Sequence, residues 1–374
     1  MKNIQSTAEA ILQPVKVVEG IVEKRQTLPI LSHLLIEQNG KTVKFSSTDL
    51  DIQISTVADV GVEECEARYT VAADTLASII SAIPPSEIID FDWDEEKRLM
   101  SVNRKVGSFQ LKTLSANDYP ILKEGKWHTS ITIPANRLRH LLTMTQFAMA
   151  SQDVRFFLNG VLLVVNHKMV CAVATDTHRL AYCETELSAD SGAQIESIIP
   201  RKTVRELTRI LPEDDTPVIV QMTDTQICFK FDNVSFMSKL VEGKFPDYRR
   251  VLPSEDATPR KITLNREALM NVLRRIAIMI TDKFNGVRWI LDGKELRIQS
   301  ANNNEEEAYE LMELESPSGD MLDMGFNITY LMDVLNILKT KEVTFHFSSP
   351  TDSVLITTPE SEGRFRYVVM PMRL

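Results

Sequence analysis

Glycine is scarce in this chain, 13 residues in 374, and none of it builds a phosphate cradle. Neither G-x-G-x-x-G nor G-x-x-x-x-G-K-[ST] occurs, so no nucleotide-binding loop is legible. Cysteine is scarcer still. Cys65, Cys171, Cys183 and Cys228 stand far apart with no C-x-x-C spacing, which leaves no disulfide framework and suits buried or idle thiols in a reduced compartment. The six histidines, His33, His128, His140, His167, His178 and His346, form no H-E-x-x-H and no i, i+4 pair, so the pattern argues against a zinc site. Asp176 and His178 could serve acid–base chemistry, but no G-x-S-x-G or cysteine nucleophile accompanies them. No apolar run approaches the roughly 18 residues of a membrane span. The opening Met1-Lys2-Asn3-Ile4-Gln5-Ser6 has no apolar stretch of the kind a secretory signal needs.

What is present reads as an ordinary globular protein with 43% hydrophobic and 25% charged residues. The length is too great for one core and predicts two or three domains. Net charge is −10, which taken in bulk argues against a nucleic-acid partner.

A repeat organises the chain. Helical periodicity runs from Pro134 to Met149 (Leu138, Leu141, Leu142, Thr145) and from Pro200 to Leu211 (Val204, Leu207, Leu211). The pair recurs at Asn265 to Ile280 and Ile328 to Lys339, and earlier at Thr7 to Val22 and Ala73 to Ile83. Pro14 should kink the first of these helices. Short β-type runs lie between them. Leu34–Ile36, Val43–Phe45 and Ile52–Ile54 correspond to Val161–Val165, Val170–Ala174 and Leu180–Cys183, and to Val287–Leu291, Leu296–Gln299 and Ala308–Glu313. Connections this short imply antiparallel sheet. The expected class is α+β, with three similar domains at 1–127, 128–259 and 260–374, and linkers at Leu122 to His128 and Ser254 to Pro259. The competing reading is one large irregular α+β fold.

Charge sorts by element. The six helical windows together are net positive although the chain is −10, so the excess of acid lies in strands and loops. Arg201, Arg205 and Arg209 stand at i, i+4, i+8 with Lys202 beside them. Such a stripe is either a solvated helix face or a contact for phosphates, which need cations but no base-specific geometry. The run Glu305-Glu306-Glu307 is read as an acidic strand or edge rather than a metal cluster. At the other end, Tyr367 to Leu374 is an apolar strand with Met370 and Met372 around Pro371. Proline stops ladder pairing there. The segment is either core or part of an adaptable apolar pocket, a role that suits methionine.

At these residues the chain resembles the DNA polymerase III beta subunit (beta sliding clamp) family over essentially its whole length. The shared signatures are Thr27-Leu28-Pro29-Ile30-Leu31, Gln152-Asp153-Val154-Arg155 with Leu158-Asn159-Gly160, and Ala174-Thr175-Asp176-Thr177-His178-Arg179-Leu180. They continue with Pro200-Arg201-Lys202, Lys239-Leu240-Val241, Phe245 to Pro253, and Met370 to Leu374. The resemblance implies a clamp fold of three domains, each with two helices on antiparallel sheets, joined head-to-tail into a homodimeric ring whose helices line a hole for duplex DNA. It implies no catalytic activity, no cofactor, no metal and a cytoplasmic setting. Expected partners are double-stranded DNA without sequence preference, a second copy of the chain, the polymerase III alpha subunit, the clamp loader, and other polymerases and repair proteins; no membrane is involved.

The family's peptide cleft carries over to Leu158, Thr175, His178, Arg179, Leu180, Pro246, Arg250, Val251, Ser353, Val368, Met370, Pro371, Met372 and Arg373. Its DNA-facing positions carry over to Arg25, Gln152, Arg201 and Lys202, to which the stripe adds Arg205 and Arg209. The dimer contact implies Phe109 against Ile278 and Met279. There are departures. Thr177 stands where many members have glycine, Phe156 and Phe157 replace tyrosines that can touch DNA, and Asp74 and Ser81 occupy positions that are often basic. Two rival readings are a monomeric peptide-binding adaptor and a hydrolase using Asp176 and His178.

Overall fold

A computed structural model describes residues 2–22, 28–63, 65–253, 258, 260–280, 285–301, 306–359 and 364–373. The chain divides into two compact units, one of residues 1–136 with 202–240, the other of 137–201 with 241–374.

The first unit is organised by one antiparallel sheet of twelve strands, running from Lys2–Thr7 at one edge to Thr129–Pro134 at the other. The sheet is continuous because Ile52–Asp59 pairs with Val234–Lys239, Ile54 opposite Phe236. Inward positions along these strands are apolar and sealed: Ile36, Phe45, Ile54, Phe91, Val220, Phe229 and Phe236 are all buried. Helices α1 (Ala8–Glu19) and α2 (Ala73–Ser81) pack on each other. The α1 helix begins where Thr7 caps it, its hydroxyl accepting from the Ala10 N–H at 3.3 Å. It continues through Pro14, which is buried. Segment 122–128 has no regular structure and is held by its backbone, Leu122 N donating to Gln53 Oε1 at 2.8 Å and Gly125 N to Gln226 Oε1 at 2.9 Å.

The second unit holds an eight-stranded and a four-stranded antiparallel sheet. In the eight-stranded sheet the strand Arg179–Glu186 pairs with Met169–Thr175 on one side and Phe365–Val369 on the other. The four-stranded sheet runs in the order Glu307–Glu313, Glu295–Ala301, Gly286–Asp292, Leu322–Asn327. Trp289 is sealed between Phe326 and Phe345, with ring centroids 5.4 and 5.0 Å away. The described part of the acidic run forms an exposed edge there, with Glu307 opening the outermost strand; Glu305 lies outside the described residues. Helices α3 (Ala135–Thr143) and α4 (Arg201–Ile210) contribute to both units, and α5 (Arg266–Ile276) packs on α6 (Ile328–Ile337) in the second.

Two helices are shorter than their apolar periodicity suggests. After α3 the chain enters a 3-10 turn at Gln146–Ala148, because Thr145 Oγ1 donates back to Leu141 O at 2.8 Å and so competes with continued helix. After α5 a 3-10 turn at Ala277–Met279 follows directly. Of the second expected linker, only Thr258 falls within the described residues.

Tyr69 yields a prediction about the first unit. Its ring is buried and stacks on Trp93 with centroids 5.0 Å apart, and its hydroxyl has no protein partner. Burial pushes its pKa up. Leaving such a group unsatisfied costs about 1–3 kcal/mol. Tyr69→Phe should therefore leave stability unchanged or raise it by about 1 kcal/mol in denaturant titration; a comparable loss would mean that the hydroxyl is bonded.

Candidate functional site

The expected cleft residues all fall in the second unit, in two groups distinguished by burial. Thr175, Leu180 and Val368 lie in line across three neighbouring strands, Thr175 opposite Leu180 and Leu180 opposite Val368. All three are buried, as is Leu158 at the end of the 3-10 turn Phe156–Leu158. Leu180 and Val368 belong to an apolar cluster with Val173, Tyr182, Phe245, Tyr248 and Leu355. Around this floor His178, Pro246, Arg250, Val251 and Met370 are exposed, Val251 and Met370 by 43% each. Pro371, Met372 and Ser353 are half-buried, and Arg373 is exposed. An apolar floor with accessible aliphatic residues beside it suits aliphatic or aromatic side chains of a guest.

The chain end is fixed at two points. Met370 N donates to His178 O at 2.9 Å, and Met372 N donates to Gly325 O at 2.8 Å. The first bond depends on the turn 175–179. Asp176 Oδ1 accepts from the N–H groups of His178 and Arg179 at 3.0 and 3.1 Å. Thr175 Oγ1 donates to Arg179 O at 2.6 Å and accepts from Thr177 N at 3.0 Å. The turn forces Thr177 to φ 78°, the left-handed region that a β-branched side chain disfavours. The glycine that many family members carry at this position is thus explained by backbone geometry.

Arg179 is expected in the cleft lining but is buried. Its Nε donates to Asp176 Oδ2 at 3.0 Å, one terminal nitrogen to Asp333 Oδ2 at 2.6 Å and the other to Phe147 O at 2.8 Å. The guanidinium also stacks 4.4 Å above the Tyr330 ring. Burial alone would lower its pKa, but Tyr367, Asp333 and Asp176 together hold it above the ordinary value. Each of its three nitrogens donates to the protein, so it positions the turn that carries His178. Asp333, Tyr330 and Phe147 were not legible in the sequence, since Asp333 lies 154 residues from its partner and no local pattern joins them. The same bonds commit the Asp176 carboxylate. Among the described residues no group of three or more His, Cys, Asp or Glu could hold a metal ion.

The expected DNA-facing residues are scattered in environment. Arg25 lies outside the described residues. Gln152 is exposed at φ 57° in a loop whose Asp153 pairs with Arg155 at 2.8 Å, which holds that carboxyl down at about 2. Val154 and Phe156 in the same loop are 87% and 73% exposed, while Phe157 packs against the apolar cluster. The stripe on α4 is less free than its spacing suggests. Arg201 donates to Met149 O and Ala150 O at 2.9 and 3.0 Å. Lys202 pairs with Asp49 at 2.6 Å and donates to Ile21 O at 3.1 Å. Arg209 pairs with Glu206 at 2.9 Å and donates to Lys16 O and Val17 O at 3.3 and 3.2 Å. Lys202 and Arg209 thus serve the carbonyl end of α1, where cations are favoured. Arg205 is exposed and has no ion-pair partner among the described residues. Asp74 and Ser81 are exposed on α2.

Of the expected dimer residues, Phe109 is 41% exposed on the strand Gly107–Leu114 of the first unit. In the second unit Ile278 is 79% exposed and Met279 half-buried in the turn after α5.

Family profiles match nearly the whole chain in three consecutive pieces: DNA polymerase III beta subunit, N-terminal domain over 3–123, central domain over 132–247, and C-terminal domain over 249–373. The chain belongs to the DNA polymerase III beta subunit family. The beta sliding clamp of Pseudomonas aeruginosa is 39% identical and that of Escherichia coli K12 36%, each over 98% of both chains. The P. aeruginosa clamp crystallised with griselimycin superposes with a TM-score of 0.94 at 37% identity, covering all of both chains. The Bacillus subtilis clamp gives 0.92 at 25% identity, over 100% of this chain and 99% of that one. The protein is therefore a processivity clamp of DNA polymerase III, with the α+β clamp fold.

In this member of the family the threonine at φ 78° in the turn 175–179 is a local liability. A left-handed L residue costs roughly 1–2 kcal/mol, and the added backbone freedom of glycine costs about 0.5–1 kcal/mol. Thr177→Gly should leave stability unchanged or raise it by up to about 1.5 kcal/mol by this difference. A clear fall in thermal midpoint would contradict the strain argument.

Proposed function

We propose that two copies of the chain close head-to-tail into a ring around duplex DNA, and that polymerases, the clamp loader and repair proteins dock on it through short linear motifs. Three domains at 1–127, 128–259 and 260–374 then repeat around the ring. The observation that carries closure is a pair of open strand stretches of opposite charge, one on a half-paired strand of the first unit and one on a sheet edge of the second. On the first unit the strand Gly107–Leu114 pairs with Leu99–Arg104, but meets Glu66–Ala72 only at Thr113 and Leu114. Its open stretch carries Phe109 and is flanked by Lys105 and Lys112. On the second unit the edge strand Glu307–Glu313 presents Glu307 and Glu313, while Glu310 is engaged by Arg275. Exposed edges are ready templates for another chain, and opposite charges across them favour the heterologous pairing that a ring requires.

The peptide site comprises the floor Leu158, Thr175, Leu180 and Val368, with His178, Pro246, Arg250, Val251, Ser353 and the tail Met370 to Arg373 around it; Arg179 acts from below by holding the turn. Apolar anchors entering the floor supply most of the affinity. DNA is held loosely. Arg205 and Gln152 offer contacts at the DNA surface, Arg25 is proposed to join them, and Arg201, Lys202 and Arg209 contribute charge while fastened to the protein. Weak phosphate attraction permits sliding that base-specific contacts would arrest. The clamp needs no cofactor and turns nothing over, and it acts in the cytoplasm.

Size measurement tests closure. The wild-type chain should run as a dimer, and reversing Lys105 and Lys112 to glutamate should weaken it about tenfold or more, more severely at low salt. Adding Glu307→Lys and Glu313→Lys should restore it. A wild-type monomer at micromolar concentration would instead support a monomeric adaptor.

Removing Met370 to Leu374 tests the cleft. The deletion takes away two methionine contacts and both bonds that fix the tail, and should cost peptide binding on the order of 2–5 kcal/mol without altering the dimer. Unchanged affinity of a fluorescent motif peptide would mean that the cleft is elsewhere.

A further inference from the structure

The outer face of the four-stranded sheet carries a groove of about 660 Å³ beside the chain end. It follows from the register. Tyr309 stands opposite Gln299, Gln299 opposite Arg288 and Arg288 opposite Gly325, and Gly325 is bridged to Met372. These positions alternate with Trp289, Ile298 and Met324, which are buried in the core, so the row faces outward. Gly325 has no side chain, and at that point the sheet surface drops into a trench bordered by Met372 and Arg373, with Pro350 and Thr351 also lining it.

The charges in the groove are unequal in what they have left to give. Arg288 is engaged by Asp323 through two bonds of 2.8 and 2.5 Å. Arg297 is different. Its guanidinium lies 4.3 Å over the Tyr309 ring, and its Nε is sealed from solvent with no acceptor. Among the described residues no carboxylate lies within ion-pair distance of Arg297 or Arg373. A guanidinium already immobilised by stacking loses little entropy on meeting a carboxylate, whose two oxygens match its fork.

We propose that this groove binds an acidic, extended segment of a partner protein, contiguous with the linear motif held in the peptide cleft. The inference rests on the peptide-cleft reading and extends it, since Met372 and Arg373 belong to both surfaces. Two available cations beside Glu307 suit one or two carboxylates and are too few for a nucleic-acid backbone, which favours the peptide.

Three labelled peptides test it on the full-length protein: an anchor peptide of leucine and phenylalanine residues, the same anchor with a Glu-Asp-Glu extension, and the anchor with Gln-Asn-Gln, each extension tried at either end. On the wild type one acidic extension should bind about fivefold tighter than its amide counterpart, an advantage that disappears at high salt and in Arg297→Gln. The bare anchor should bind both proteins equally. Equal binding of acidic and amide extensions to the wild type overturns the groove, as does an acidic advantage that survives Arg297→Gln. Failure of the bare anchor to bind the wild type overturns the cleft reading and this inference with it. Loss of short-duplex binding in Arg297→Gln, with no peptide effect, would assign the groove to DNA and overturn the proposal.

Discussion

The Arg179 guanidinium joins parts of the second unit that the chain visits far apart. It reaches the turn at Asp176, helix α6 at Asp333 and the 3-10 turn at Phe147, and lies over Tyr330. The strand it begins is the seam of the eight-stranded sheet, pairing with Met169–Thr175 on one side and with Phe365–Val369 on the other. A charge this deeply buried is tolerated only when its donors are matched, and stripping a partner from a buried pair costs about 3–5 kcal/mol. The turn therefore has one stable geometry. His178 presents its carbonyl to Met370 in that geometry, and through Met370 the chain end is held beside the apolar floor.

Charge elsewhere is placed with similar economy. The cations of α4 look like a uniform basic stripe in the sequence, yet Lys202 and Arg209 fasten the helix to the carbonyl end of α1, and Arg201 binds backbone at Met149 and Ala150. Their charge remains while their side chains are immobilised. On the proposed reading this suits a surface that must attract phosphates without gripping any one of them, in a protein whose net charge of −10 discourages indiscriminate binding to nucleic acid.

Much of this was legible in the sequence because period-3.6 and period-2 patterns report directly on which face is buried. The helical windows correspond to α1 through α6, and the nine short apolar runs lie within strands. Helix ends were less legible. Thr145 reads as one more position on the apolar face of α3, yet its hydroxyl turns back on Leu141 and the helix stops. Long-range partnerships left no local trace: nothing around Arg179 points to Asp333, and nothing around Lys202 points to Asp49. The expected cleft residues came from the family resemblance, and the fold divides them into a buried floor and more exposed surroundings that residue types could not supply. Arg25 lies outside the described residues.

On the proposed reading DNA is retained by enclosure and not by affinity. The direct measurement loads the protein with its cognate loader onto nicked circular DNA, isolates the complex by gel filtration in high salt, and repeats this after a single cut of the circle. Enclosure predicts retention on the intact circle and rapid loss from the cut one, because sliding off an end breaks no strong contact whereas leaving a circle requires an interface to part. Equal retention on cut and uncut DNA would show that contacts alone hold the complex and that no closed ring retains it.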